Sequence, residues 1–104
     1  MGNAILLRVY APYKRGSKRH YSIVNLYREL YGHDDKSNYS KYTYHRTGLL
    51  ETIPSIRYEG GIIMIRKEDL DKVVTLLNKY KAKYVTWEVI PNENEQKQLQ
   101  LEDV

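Results

Sequence analysis

The apolar residues of this chain change period as it is read, from two to 3.6 and back. The order of those periods limits the fold more than any motif does. Residues 4–10, AILLRVY, alternate as a strand, with Ile5, Leu7 and Val9 on one face and Leu6, Arg8 and Tyr10 on the other. Ser22 suits an N-cap, and Ile23, Leu26, Tyr27, Leu30 and Tyr31 then follow helical spacing as far as Gly32, a natural stop. SIRYEGGIIMIR reads as a hairpin turning at Gly60-Gly61. From Lys67 to about Lys81, Leu70, Val73, Val74, Leu77 and Tyr80 make one helical stripe. Glu68 and Asp69 in its first turn and Lys79 and Lys81 in its last complement the helix dipole. KYVTWEVI, 83–90, is a last strand with Val85, Trp87 and Val89 on one face.

The order strand–helix–hairpin–helix–strand predicts the α+β class. The expected form is a split βαβ, ferredoxin-like antiparallel sheet with two helices on one face, and with residues 33–54 as a basic, Tyr-rich insertion before the hairpin. The helices are expected to cover Ile5, Leu7, Val9, Val85, Trp87 and Val89. The open face is expected to show Leu6, Arg8, Tyr10, Tyr84, Thr86 and Glu88, with Ile62, Met64 and Arg66 from the third strand.

The insertion reads two ways. Tyr42 and Tyr44 alternate like a strand, yet Ser37 could cap a helix with Tyr39, Tyr42, Arg46, Leu49, Leu50 and Ile53 along one stripe, and Pro54 ends either element. The helical alternative leads to a winged helix, with 22–31 and 37–50 as the helix-turn-helix and the Gly60-Gly61 hairpin as the wing. In both cases residues 1–91 form a single domain, and 92–104 are expected to be a mobile acidic and polar tail.

Composition removes several classes of function. There is no Cys, so disulfides, thiolate nucleophiles and Cys-ligated zinc are excluded. No window approaches the roughly 18 apolar residues of a membrane span, and Met1 to Val9 lack the features of a signal peptide, so a cytoplasmic protein without membrane contact is expected. Five of the nine Asn and Gln fall in the last thirteen residues, and this amide-poor, Lys- and Glu-rich body leans towards a thermophile.

The formal charge of +4 is unevenly placed. Residues 1–50 hold nine Lys or Arg against three acids, whereas 51–104 hold eight against ten. Phe is absent, and nine of the eleven Tyr lie within the first 58 residues, in the same region as the basic excess. Two stretches combine both features, YKRGSKRHY at 13–21 and KSNYSKYTYHR at 36–46. Lys and Arg neutralise phosphates and release counterions, while Tyr stacks on unpaired bases or bonds a phosphate through its hydroxyl.

The resulting expectation is a non-enzymatic nucleic-acid-binding protein, RNA or DNA, fitting an accessory subunit of a larger assembly. Its candidate contacts are Tyr13, Lys14, Arg15, Lys18, Arg19, His20, Tyr39, Lys41, Tyr42, Tyr44 and Arg46. The third strand, GGIIMIR, carries no aromatic of the kind RNA-recognition modules place there, so the basic loops and not the sheet are the expected surface.

Two alternatives stand beside it. One is a protein-interaction module that dimerises or meets an acidic protein through a sheet edge or the open face. The other is a small metal-dependent nuclease using His33, Asp34 and Asp35, although no Asp ends the first strand, where this topology would place one. No GxxxxGK or GxGxxG phosphate loop occurs, and no cofactor or metal site is expected.

Overall fold

The computed structural model describes residues 3–10, 18–37 and 42–101, with 18–21, 37 and 42 as backbone only. The elements are β1 (Ala4–Tyr10), α1 (Lys18–Tyr31), β2 (His33–Ser37), β3 (Tyr42–Arg46), α2 (Leu49–Thr52), β4 (Ser55–Tyr58), β5 (Ile62–Arg66), α3 (Leu70–Lys79), β6 (Lys83–Val89) and α4 (Glu93–Gln98). A 3-10 turn, Lys67–Asp69, leads into α3. β4, β5, β1 and β6 form one antiparallel sheet in that order, and β2 and β3 pair as a separate two-stranded ribbon. The chain is therefore an α+β fold.

The expected periods account for most of the packing. Ile5, Leu7 and Val9 of β1 and Ile63 and Ile65 of β5 are buried against Ile23, Leu26 and Leu30 of α1 and Val73 and Leu77 of α3. Tyr27 and Tyr80 pack on this core as well, in keeping with their places on the helical stripes. Gly60 and Gly61 both have positive φ, 77° and 75°, which only a residue without Cβ adopts freely, so the tight β4–β5 turn falls on them. Gly32 ends α1 at φ 87°, its N–H bonding the Arg28 carbonyl at 2.8 Å.

Four expectations change. First, α1 begins at Lys18 and not at Ser22, because KRHY contains no helix breaker and continues the turn backwards. Second, residues 42–46 form a strand and only Leu49–Thr52 is helical, so the recognition helix of a winged helix is not formed. Alternating Tyr42, Thr43 and Tyr44 suit a pleated strand better than a helix.

Third, β6 faces the other way. Its register pairs Leu6 with Trp87 and Leu7 with Thr86, so Val85, Trp87 and Val89 share the side of Leu6, while Tyr84 lies towards the helices and packs on the main core. Val85 and Trp87 are 38% and 47% exposed. The helices sit over β1 and β5, and the edge strand β6 offers them one half-buried Tyr.

Fourth, part of the segment read as a tail is built into the fold. Asn92 caps α4 by accepting the Glu95 N–H at 2.8 Å, and Glu95 returns a bond from the Asn92 N–H at 2.9 Å. Leu99 is wholly buried in a second cluster with Ala4 and Met64, flanked by Leu6, Ile56, Val89 and Leu101. This cluster covers one half of the sheet face away from α1 and α3.

Candidate functional site

The other half of that face is open. Strand register sets its residues in a row across the sheet, with Tyr58 beside Ile62, Ile62 beside Arg8 and Arg8 beside Val85. Tyr10 follows Arg8 on the same face of β1, and Trp87 follows Val85 on β6. Arg8 therefore stands among three exposed rings, Tyr10 (39%), Tyr58 (40%) and Trp87 (47%). Its guanidinium lies 4.8 Å from the centre of the Tyr10 ring, a cation–π distance.

Among the described residues neither Arg8 nor Lys83 forms an ion pair. Glu88, the acid of β6, lies on the opposite face, bonded to Asn3 at 2.6 Å and to Lys67 at 3.4 Å. The open half therefore carries rings and positive charge. A cleft of about 930 Å³ opens at its Tyr10 end, lined among the described residues by Arg8, Tyr10, Gly60, Lys83 and Val85 together with their neighbours.

Tyr58 marks the border between the two halves. Its hydroxyl donates to Glu95 of α4 at 2.6 Å, and that bond pushes the Tyr58 phenol up to about 12 while holding the Glu95 carboxyl below its ordinary value.

The sequence-derived contacts distribute differently. Tyr13, Lys14, Arg15, Tyr39 and Lys41 lie outside the described residues. Lys18, Arg19 and His20 belong to the first turn of α1 and not to a loop, and Tyr42 opens β3. Tyr44 is 53% exposed on the ribbon. Arg46 is already engaged, its Nε donating to Asp35 at 2.8 Å, which leaves it a weaker phosphate contact than its sequence neighbours imply.

The ribbon also splits the three groups of the nuclease alternative, bringing His33 and Asp35 together and setting Asp34 apart from them. Asp34 and Asp35, as neighbours in a strand, point to opposite faces. Asp34 meets His45 Nδ1 at 2.8 Å, and Asp35 meets His33 Nε2 at 3.1 Å. His45 Nε2 reaches Glu51 at 2.8 Å, so the imidazole bridges two carboxylates and its pKa is raised, first by Asp34 and then by Glu51. Among the described residues no three His, Asp or Glu side chains are placed to hold one metal ion. A second cleft, about 640 Å³, lies near Leu49, Leu76 and the Glu29–Lys79 ion pair (2.9 Å) and gathers no set of reactive groups.

Sequence reasoning missed Trp87 and Val85 because hydrophobicity placed them under the helices. The alternation of β6 carries no signal of its side, which its register with β1 decides. No helix among the described residues is long and apolar enough to cross a membrane. No protein-family model, no curated protein and no solved structure matches this chain.

Proposed function

We propose that this protein binds nucleic acid without catalysing a reaction on it, and that the open half of the sheet is the binding surface. The observation that carries the reading is Arg8 set among the exposed rings of Tyr10, Tyr58 and Trp87, with Lys83 at the same end. Rings supply stacking surface and cations supply phosphate attraction, the two terms that nucleic-acid grooves combine.

The basic run at 14–19 supports the same reading, because it falls in the sequence between Tyr10, the last residue of β1, and α1, which opens with Lys18 and Arg19. The sheet order β4-β5-β1-β6, with α1 and α3 on one face, supports describing the body as a split βαβ, ferredoxin-like sandwich carrying the β2–β3 ribbon as an insertion. With the Leu99 cluster covering one half of the other face, such a body leaves the remaining half free for a ligand. The exposed Val85 and Trp87 on an edge strand also favour a second reading, self-association through β6, which sedimentation across a concentration series tests directly.

Fluorescence anisotropy against RNA and DNA oligonucleotides across a salt series tests the main reading. Log affinity should fall linearly with log salt, by about 0.7 per phosphate contact for single strands and about 0.9 for duplex. Replacing Arg8 and Lys83 by Ala should flatten the slope by about two contacts. Absence of binding to every oligonucleotide below about 0.1 mM at low salt would remove the reading, since even non-specific binding is tighter than that.

A further inference from the structure

Resting on that reading, we infer that the ligand is single-stranded, with unpaired bases laid on Tyr10 and Trp87 and the intervening phosphates drawn to Arg8. Register supplies the spacing. Tyr10 pairs with Lys83 and Leu6 with Trp87, so the two rings are offset by four residues along the strands, about 13 Å at the usual strand rise. One base step in a duplex strand is about 3.4 Å. Bases lying flat on both rings are therefore splayed apart along an extended backbone, an arrangement closed to a strand whose bases are paired and stacked on their neighbours.

The positions between the rings fit such a chain. Arg8 and Val85 are cross-strand partners lying between them, one a cation for phosphate and one an apolar floor for sugar or base. Arg8 already stacks its guanidinium on Tyr10, so a base on that ring meets a charge at its edge. The cluster around Leu99 covers Leu6, Met64 and Ile56, and thereby confines the strand to the Tyr10–Val85–Trp87 side.

Trp87 is the only Trp in the chain, which makes the test direct. Unlabelled protein is titrated with a twelve-nucleotide single-stranded oligouridine, with oligothymidine, and with a duplex of equal length. The single strands should quench Trp fluorescence and the duplex should not. In anisotropy, Trp87→Ala should weaken single-strand binding about five- to a hundredfold with an unchanged salt slope, the range for loss of one base–aromatic stack. Trp87→Phe should recover most of that loss.

Tight binding of the duplex and single strands alike, with neither quenching nor a Trp87→Ala effect, overturns the inference and leaves nucleic-acid binding in place. Absence of any binding overturns both. If Trp87→Ala instead converts a self-associated protein to monomer and leaves oligonucleotide affinity unaltered, the surface belongs to a second copy and the inference fails.

Discussion

Leu99→Ala tests how firmly α4 is held on the sheet. The side chain is fully buried among Ala4, Met64, Leu6, Ile56, Val89 and Leu101. Truncating such a Leu removes its transfer free energy and leaves a cavity, together ~2–5 kcal/mol. The lower end applies here, because undocking α4 breaks no strand pairing and offers the variant an escape cheaper than a void.

The expected loss is therefore ~2–3 kcal/mol, which in a domain of this size lowers the melting temperature by roughly 10–20 °C if unfolding stays all-or-none. If α4 comes off alone, the melting temperature falls less and local observables report the change instead. The amides of Gln96, Leu99 and Leu101, which bond the Asn92, Glu95 and Gln96 carbonyls at 2.8, 2.9 and 2.8 Å, should lose hydrogen-exchange protection. The Tyr58 phenol, now pushed up to about 12, should return towards its ordinary value near 10 as Glu95 departs. Urea denaturation, hydrogen exchange and an ultraviolet pH titration read these three effects. A variant within ~0.5 kcal/mol of the parent, with exchange and titration unchanged, would refute the docking of α4 and with it the division of the sheet face.

Trp87→Ala should lower stability by ~1.5–2.5 kcal/mol, half the cost of a buried Trp, since about half of the side chain is already in water; a loss of ~4–5 kcal/mol in urea would put it back in the core. Gly48→Ala should destabilise by ~2 kcal/mol or more in the same assay, because a Cβ there collides with the Gly32 nitrogen and the Tyr31 carbonyl carbon where the ribbon closes on α1. Asp69→Ala should cost ~1–3 kcal/mol: Asp69 is buried, accepts from Arg66 Nε at 2.8 Å, and its loss leaves that half-buried guanidinium without its closest partner. The His45 bridge predicts a pH effect. Its folded pKa is raised above the unfolded 6.5, so its contribution is full below about pH 6.5 and is lost as pH rises through the folded value. The stability gap between the parent and His45→Asn should shrink over that range, and a gap constant with pH contradicts the bridge.

How much of this could be read beforehand differs from element to element. The stripe Ile23, Leu26, Leu30 and the alternation Ile5, Leu7, Val9 each have one apolar side and one polar side, so burial admits a single answer and the structure adopts it. Gly60-Gly61 and Gly32 were equally legible, because a residue without Cβ adopts positive φ most freely. The basic and aromatic excess of the first 50 residues is likewise plain in the sequence, though Arg46 shows that a cation in such a run can already be spent on a carboxylate of the neighbouring strand.

The left-handed caps at Lys81 and Gln100 were not legible, although the helical stripe itself ended near Lys81. Both residues adopt positive φ, 54° and 57°, where Gly is expected, and a wrapped hydrogen bond from the next residue compensates, Ala82 N–H to the Leu77 carbonyl at 2.9 Å and Leu101 N–H to Gln96 at 2.8 Å. Nor could the docking of Leu99 be seen, since one Leu among Asn, Gln and Glu has no period to reveal its side. β6 is the clearest case. A period of two divides Tyr84, Thr86 and Glu88 from Val85, Trp87 and Val89 without saying which set faces the helices, and hydrophobicity favours the wrong one. Pairing with β1 settles it, because hydrogen-bond register ties Trp87 to Leu6 and Thr86 to Leu7 whatever their polarity. The elements and their periods belong to the sequence. The side of the sheet on which Trp87 stands, and hence the candidate site, belongs to the non-local pairing that only the folded chain contains.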